Sequence, residues 1–263
     1  AAQRRLAELG QAVTAAPEPQ AGDPAEALRN AAREGRADTV AMLLRQGVAP
    51  DAADAYGNSA LLEASRKGFA AVVKQLLDAG ARAQRANKQS ETALALSAAA
   101  GNIETMRLLL AAQAPPDQAD GLARTPLMIA ANQGQADAVA LLLQYKAQVN
   151  AQDKKGWTPL LHAIQQADPA VVQAVLRGGA DVNVRDTEGI SPVMHMTLAR
   201  RSELLRLLVA VPSVQVDAPD TAGRTSLHAA AENNYGDGVR ILLGAGANSN
   251  ATDKLGWTAA MLA

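Results

Sequence analysis

A short motif that opens with Thr or Ser returns about every 33 residues along most of the chain. The spacings between its seven copies are 33, 33, 33, 33, 34 and 33 residues. A constant period of this size indicates a stack of equivalent supersecondary units, each packed only on its neighbours. Such a solenoid presents an extended concave surface rather than an enclosed catalytic cleft. The copies are Ser59-Ala60-Leu61, Thr92-Ala93-Leu94, Thr125-Pro126-Leu127, Thr158-Pro159-Leu160, Ser191-Pro192-Val193, Thr225-Ser226-Leu227 and Thr258-Ala259-Ala260.

Each unit carries the pattern of two short helices. The segment after the motif is rich in small apolar residues, and in the early units it ends at a glycine such as Gly134, which suits the left-handed position that closes a helix. A second segment places apolar residues at i, i+3 and i+4, as in Val139, Leu142 and Leu143, and so on one helix face. A turn of the form D-x-x-G-x-T, such as Asp153–Thr158, leads into the next unit.

These features resemble the ankyrin repeat family, in which a β-turn, two antiparallel helices and a loop recur and T-P-L-H-x-A opens the first helix. The resemblance covers residues 26–263. It implies an all-α repeat solenoid of stacked helix-turn-helix units with β-turn or hairpin loops. The units begin at residues 26, 59, 92, 125, 158, 191 and 225, and residues 258–263 begin another.

Residues 1–25 are expected to lie outside the repeats. Residues 1–15 have the pattern of an amphipathic helix, with Leu6, Leu9 and Val13 on one face. We expect this helix to cap the first unit, because a terminal unit exposes a face that its neighbours normally bury. Residues 17–24 contain three prolines and are predicted to form a linker.

Several units depart from the family pattern. Only His228 occupies the histidine of the motif, whereas His162 and His195 lie one residue later. In the family this histidine ties neighbouring turns together, so the resemblance predicts that tie only at His228. The unit that begins at 191 has one extra residue, which we place near residues 211–213, and the least regular stacking is therefore expected over residues 195–217. Expected glycines are replaced at Ser90, Ala123, Ala167, Arg200 and Asn234.

The composition limits the classes of partner and the cellular compartments that the protein is expected to have. The net charge is −1, so no bulk electrostatic force favours nucleic acid or a membrane surface, and no apolar run reaches the roughly 18 residues of a membrane helix. The absence of Cys excludes disulfides and suits both the cytosol and a bacterial periplasm. The first residue is Ala, which a removed signal peptide or a trimmed chain would leave. We expect a monomer in the periplasm or secreted, with the cytoplasm as the alternative.

No residue set predicts catalysis, a metal or a cofactor. His162 and His195 occupy equivalent positions one unit apart, and a separation of about 10 Å is too large for one zinc ion. A turn Asp recurs with the period, which indicates turn capping rather than chemistry. The phosphate-binding, dinucleotide-binding and H-E-x-x-H motifs are absent, so the sequence predicts that the protein is not an enzyme. The turn residues are Asp54, Asp120, Asp153, Asp186, Asp220 and Asp253, with Asn87 in the remaining position.

The resemblance implies that the turn residues before each Thr and the last residues of each first helix face a concave groove. Apart from the turn Asp, these turns hold six basic residues against the acidic Glu91 and Glu188. Trp157 lies among the basic residues, and Trp is common at interface hot spots. We therefore predict a protein partner with an acidic surface, and we expect Trp157→Ala to weaken binding without changing the melting curve. The candidate partner-binding residues are Tyr56, Arg66, Lys67, Lys88, Arg124, Gln133, Lys154, Lys155, Trp157, Gln166, Arg224, Lys254 and Trp257.

The leading functional hypothesis is a non-enzymatic protein-protein interaction scaffold that binds its partner on the concave face. A narrower alternative is a bacterial inhibitor or immunity protein that blocks an enzyme or toxin, which the alanine-rich composition permits. A second alternative is a small-molecule or lipid carrier that uses a gap within residues 195–217. A third is a regulatory arm of a larger protein.

Overall fold

The computed structural model describes residues 23–263, so the helix predicted over residues 1–15 lies outside the described residues. The predicted linker is wrong at its last residue, because Pro24 is the first residue of a helix. Asp23 caps this helix by accepting a hydrogen bond from the Ala25 N–H at 3.0 Å. Proline suits the first helical position because the N–H that it lacks has no partner there anyway.

The described residues form helix pairs, and the prediction of an all-α repeat solenoid is confirmed. The first helix of each unit packs on the first helices of its neighbours, and second helices likewise pack on second helices, except that α10 and α12 make few contacts. The first helices are α1 (Pro24–Arg33), α3 (Ala60–Lys67), α5 (Ala93–Ala99), α7 (Pro126–Asn132), α9 (Pro159–Gln166), α11 (Pro192–Leu198), α13 (Ser226–Glu232) and α15 (Ala259–Leu262). The second helices are α2 (Ala37–Arg45), α4 (Ala70–Asp78), α6 (Ile103–Ala111), α8 (Ala136–Gln144), α10 (Pro169–Arg177), α12 (Ser202–Val209) and α14 (Gly236–Gly244).

The recurring Thr or Ser precedes each first helix after α1. The Thr158 hydroxyl accepts a hydrogen bond from the Leu161 N–H at 3.4 Å, and Thr92 does the same for Ala95 at 3.1 Å. This contact satisfies one of the free N–H groups of the first turn. Pro159 then occupies the first helical position. The period in the sequence is therefore a period of helix starts.

Some of the turns before the first helices contain a single β-bridge rather than strands. Three such bridges occur within residues 23–263, for example between Ala53 and Ser59. The apolar face of each second helix fills the core between units: Val139 and Leu142 are fully buried, and Leu143 lies partly exposed at the edge. This core runs continuously through the stack, which holds neighbouring turns in a fixed register.

The glycine positions of the repeat keep a left-handed backbone even where glycine is replaced. Gly156 has φ +73°, and Ala123 at the equivalent position has φ +61°. A residue with a Cβ adopts this conformation at a cost of about 1–2 kcal/mol. The fold therefore imposes the conformation at each turn before a first helix and at the end of each complete first helix. The replaced positions in the described chain are Ser90, Gln113, Ala123, Lys146, Ala167, Arg200 and Asn234.

The extra residue of the 191 unit lies in the loop that follows α12. This loop spans residues 210–225, whereas the equivalent loop after α8 spans residues 145–158. One of the two added positions is the extra residue, and the other arises because α12 is one residue shorter than α8. After α8 the chain turns through Lys146 in a left-handed conformation, but no residue from 210 to 214 has a positive φ. α11 and α12 both form, but α12 has one residue fewer than the other second helices and packs only weakly on α10. The irregularity predicted over residues 195–217 therefore includes the stacking of α10 and α12 as well as this loop.

Candidate partner-binding surface

One oxygen of the turn Asp organises each turn. Asp153 Oδ1 accepts hydrogen bonds from the N–H groups of Lys155 at 2.8 Å and Trp157 at 3.0 Å. Asn87 Oδ1 makes the same pair of contacts, to Gln89 and Glu91. Equivalent bonds form at every turn Asp of the repeats. These contacts confirm that the turn carboxylates cap turns.

The second oxygen of the turn Asp binds a different side chain in different units. Asp153 Oδ2 contacts His162 Nε2 at 3.0 Å, and Asp186 Oδ2 contacts His195 Nε2 at 2.9 Å. In the Asn87 turn the roles are reversed, because Asn87 Nδ2 donates to Glu91 at 2.7 Å. The side chains of Asn58, Arg124 and Arg224 donate to the second oxygen of the turn Asp in three further turns.

These contacts neutralise part of the predicted basic surface. Arg124 and Arg224 bind the carboxylates of their own turns at 2.7 and 3.0 Å. Arg66, at the end of α3, pairs with Glu91 in the next turn at 3.2 Å. Burial raises the pKa of Asp120, but hydrogen bonds from the Arg124 side chain and from two backbone N–H groups outweigh it and leave the pKa below its ordinary value. The exposed positive charge of this face therefore resides in its lysines.

Trp157 lies between two histidines from adjacent units. Its ring centroid is 5.4 Å from that of His162 on α9 and 5.6 Å from that of His195 on α11. Both contacts are edge-to-face, an arrangement that aromatic rings favour. Each imidazole is in turn held by its turn carboxylate, Asp153 or Asp186. The half-buried indole is thus fixed by two units before any partner arrives.

The environment keeps His162 neutral. Burial lowers the pKa of His162, the Asp153 carboxylate opposes this change, and the charges of Arg124 and Lys155 lower the pKa further. The neutral ring then donates from Nε2 to Asp153, and Nδ1 is buried without a hydrogen-bond partner in the described chain. No group of His, Asp and Glu residues within 23–263 is arranged to hold a metal ion.

His228 makes the tie between turns that the family motif implies. Its Nδ1 accepts hydrogen bonds from the Thr225 N–H at 3.2 Å and the Thr225 hydroxyl at 2.9 Å, and its Nε2 donates to the Trp257 carbonyl at 3.0 Å. His162 and His195 do not make this tie; each binds the Asp of the turn that leads into its own helix.

The remaining candidate residues lie exposed along the turns and helix ends. Tyr56 is 64% exposed and Trp257 is 47% exposed. Gln133 and Gln166, at the ends of α7 and α9, are also exposed. The lysines of the set are exposed and make no ion pair within residues 23–263: Lys67, Lys88, Lys154, Lys155 and Lys254.

Sequence reasoning did not foresee the imidazole contacts of Trp157. The available signal was the displacement of His162 and His195 to the residue after the motif position, combined with Trp157 in the intervening turn.

The region proposed for a carrier gap contains an open groove of about 470 Å³ beside Val211 and Pro212. A second groove of about 490 Å³ lies beside Leu227, Tyr235 and Leu243.

The fold and this surface define a class of protein: a helical repeat solenoid that presents fixed turn side chains. The family model "Ankyrin repeats (3 copies)" matches residues 28–120, 94–186 and 162–253, so the chain belongs to the ankyrin repeat family. None of the curated proteins compared with the chain matches it. Ankyrin repeats in general mediate protein-protein interaction and are typically non-enzymatic. The helices of the described residues are all too short or too polar to span a membrane.

Proposed function

We propose that this protein is a non-enzymatic scaffold that binds a protein with an acidic surface on the face formed by its turns. The observation that carries the proposal is the state of Trp157, which contacts two imidazoles and is near the exposed Lys154 and Lys155, neither of which forms an ion pair within residues 23–263. A rigid aromatic residue loses little conformational entropy when a partner covers it. Lysines around it would steer an acidic partner toward the site.

A scaffold of this kind can also act as an inhibitor or immunity protein, if its partner is an enzyme or toxin whose active site it covers. The same surface serves both roles, so they differ only in the identity of the partner. The periplasmic or secreted location stays part of the proposal, and the absence of Cys is compatible with it.

Affinity capture from the source organism, with mass spectrometry, identifies the partner, and titration calorimetry then measures its affinity. Trp157→Ala is expected to weaken binding by about tenfold or more, because central aromatic residues dominate interface energies. The affinity is measured at a temperature at which the variant is folded by circular dichroism.

The double variant Lys154→Glu/Lys155→Glu is expected to slow association, with a smaller effect at high salt, since screened charges steer encounter. Lys74→Glu on α4 is the matched control. If the turn variants bind normally while substitutions on the second helices abolish binding, the partner uses the convex face and the proposal is wrong.

A further inference from the structure

The outer row of helices separates at one junction of the described stack. Second helices of neighbouring units pack together elsewhere along residues 23–263, but α10 and α12 make few contacts. The open groove of about 470 Å³ lies between these two helices, with Leu176 on one side and Leu207 and Val211 on the other. The first helices of the same two units, α9 and α11, also pack less closely than other neighbouring first helices of the described chain.

One position at the end of the second helix is suited to set the distance between second helices. Gly178 follows α10, and its N–H donates to the Val175 carbonyl at 3.1 Å. Val211 lies 33 residues later, and its N–H donates to the Leu208 carbonyl at 3.1 Å, so the two residues are equivalent. Gly178 has φ −73°, an ordinary helical value, so the backbone does not require glycine there. The size of the residue therefore matters for packing alone.

Gly178 allows α10 to lie close against α8. A Cβ at residue 178 would lie 2.6 Å from Leu143 Cδ1 on α8, well inside the separation of about 3.5–4.0 Å that carbon atoms prefer. At the next junction Leu176 is the equivalent of Leu143, and it shares the groove with Val211 in place of a glycine. The valine side chain occupies the space into which a neighbouring leucine fits at Gly178.

The other junctions follow the same order of residue size. Second helices of the described units pack most closely at Gly178, less closely where alanine follows the helix, and less again at Tyr145. Val211 marks the weakest junction. Tyr145 can direct its ring outward, since it is 42% exposed, but the β-branched Val211 has few rotamers with which to avoid the helix before it. The alanines at this position are Ala79, Ala112 and Ala245.

The same two units remain joined on the side of their turns. The Thr187 N–H donates to the Lys155 carbonyl at 3.2 Å, which links the backbones of the two turns. The rings of Trp157 and His195 make an edge-to-face contact across the same junction. Two bodies that are joined along one edge and separated along the opposite edge have the geometry of a hinge.

We infer that the junction between the units that begin at 158 and 191 is a hinge of the solenoid. The joined turns are its axis, and Val211 is the wedge that keeps α12 away from α10. Rotation about the turns opens or closes the gap and changes the curvature of the stack, because curvature depends on the rotation between neighbouring units. This inference concerns the protein without a partner and does not rest on the proposed function.

The test measures distances between spin labels on second helices of the full chain by double electron–electron resonance. The sequence has no Cys, so the labels attach only where Cys is introduced. The pair Ala140→Cys/Arg206→Cys spans α8, α10 and α12 and includes the gap. The pair Arg107→Cys/Gln173→Cys spans α6, α8 and α10 and is the matched control, since the four positions are equivalent and exposed. Each pair spans two helix spacings, or about 16–20 Å.

The pair across the gap is expected to give a longer mean distance and a broader distribution than the control pair. Val211→Gly should narrow this distribution and shorten its mean by up to about 2 Å, the difference between close and loose helix packing. Gly178→Val should lengthen and broaden the control pair. Circular dichroism checks that each variant is folded. Equal distributions for the two pairs overturn the hinge, and an unchanged distribution in folded Val211→Gly overturns the wedge.

Discussion

Two turns of this protein share the residues Gly-Trp-Thr but hold their tryptophans differently. The backbone of the two turns is the same, since Asp253 Oδ1 accepts from Trp257 N–H at 2.9 Å as Asp153 Oδ1 does from Trp157 N–H at 3.0 Å. Trp157 nevertheless lies between two imidazoles, whereas Trp257 is 47% exposed and has no ring contact within residues 23–263.

The difference arises from residues outside the turn. His162 follows Trp157 by five residues, and Leu262 occupies that position after Trp257. The second imidazole, that of His195, comes from the next unit along the stack. A repeat motif therefore fixes the backbone of a turn, while side chains from the helix and from the adjacent unit decide whether its aromatic residue is rigid.

The largest predicted difference between the two turns is in stability. Trp157→Ala should lower the free energy of unfolding by about 2 kcal/mol, because it removes two edge-to-face contacts and part of a buried ring. Trp257→Ala should lower it by less than about 0.5 kcal/mol, as for an exposed residue. Urea unfolding followed by circular dichroism measures both values.

This prediction replaces the sequence-based expectation that Trp157→Ala leaves the melting curve unchanged. That expectation treated residue 157 as a fully exposed turn position, but the structure shows it half-buried. Equal losses in the two variants would show that the imidazole contacts contribute nothing.

The glycines before the two tryptophans provide the next comparison. Gly156 and Gly256 both have positive φ, at +73° and +80°, so alanine is strained at either position. A Cβ at Gly156 would lie 3.0 Å from the Thr187 nitrogen in the adjacent turn, whereas a Cβ at Gly256 meets nothing within 4 Å. Gly256→Ala should therefore cost about 1 kcal/mol and Gly156→Ala distinctly more.

Thermal unfolding of the two variants tests this ranking. Ala123→Gly is the reverse control, because it relieves a left-handed alanine and should raise the melting temperature if strain exceeds the added chain entropy. A larger loss for Gly256→Ala would contradict the packing of adjacent turns described above.

Replacing the threonine after each tryptophan should give a smaller difference in the free energy of unfolding between the two turns. The Thr158 hydroxyl caps α9, while Thr258 makes no side-chain capping bond to α15. Thr158→Ala should cost about 1 kcal/mol, a typical value for an N-cap, and Thr258→Ala less. Serine at position 158 should restore most of the loss, which separates the hydroxyl contact from packing of the methyl group.

The sequence predicted the fold well because the period repeats the local signals that start and end each helix. Ser90 and Ala123 show this directly, since their register alone identified two positions that adopt left-handed backbone. The sequence also placed Trp157 on the turn surface. The pairing of Arg66 with Glu91 and the contact of His195 with Trp157 could not be read from it. Both join side chains from different units, and their geometry depends on how the units stack.

The smallest predicted effect is a pH dependence that only the Trp157 turn should show. The pKa of His162 is lowered in the folded state, so the folded protein binds fewer protons than the unfolded chain below the ordinary histidine pKa of about 6.5. The stability that the neutral His162 contributes is therefore fully present above about pH 6.5 and is lost as the pH falls toward the pKa of His162 in the folded protein. Leu262, at the equivalent position of the other turn, cannot titrate.

Urea unfolding of the wild type and His162→Gln at pH 7, 6 and 5, a range of about two units centred near the histidine pKa, measures this contribution. Glutamine keeps an N–H donor for Asp153 but cannot titrate. The variant should lose less stability than the wild type between the highest and lowest pH. Lys74→Ala, on the convex face, should retain the wild-type slope. If His162→Gln also retains that slope, the imidazole beside Trp157 titrates alike in the folded and unfolded chains, and burial does not keep it neutral.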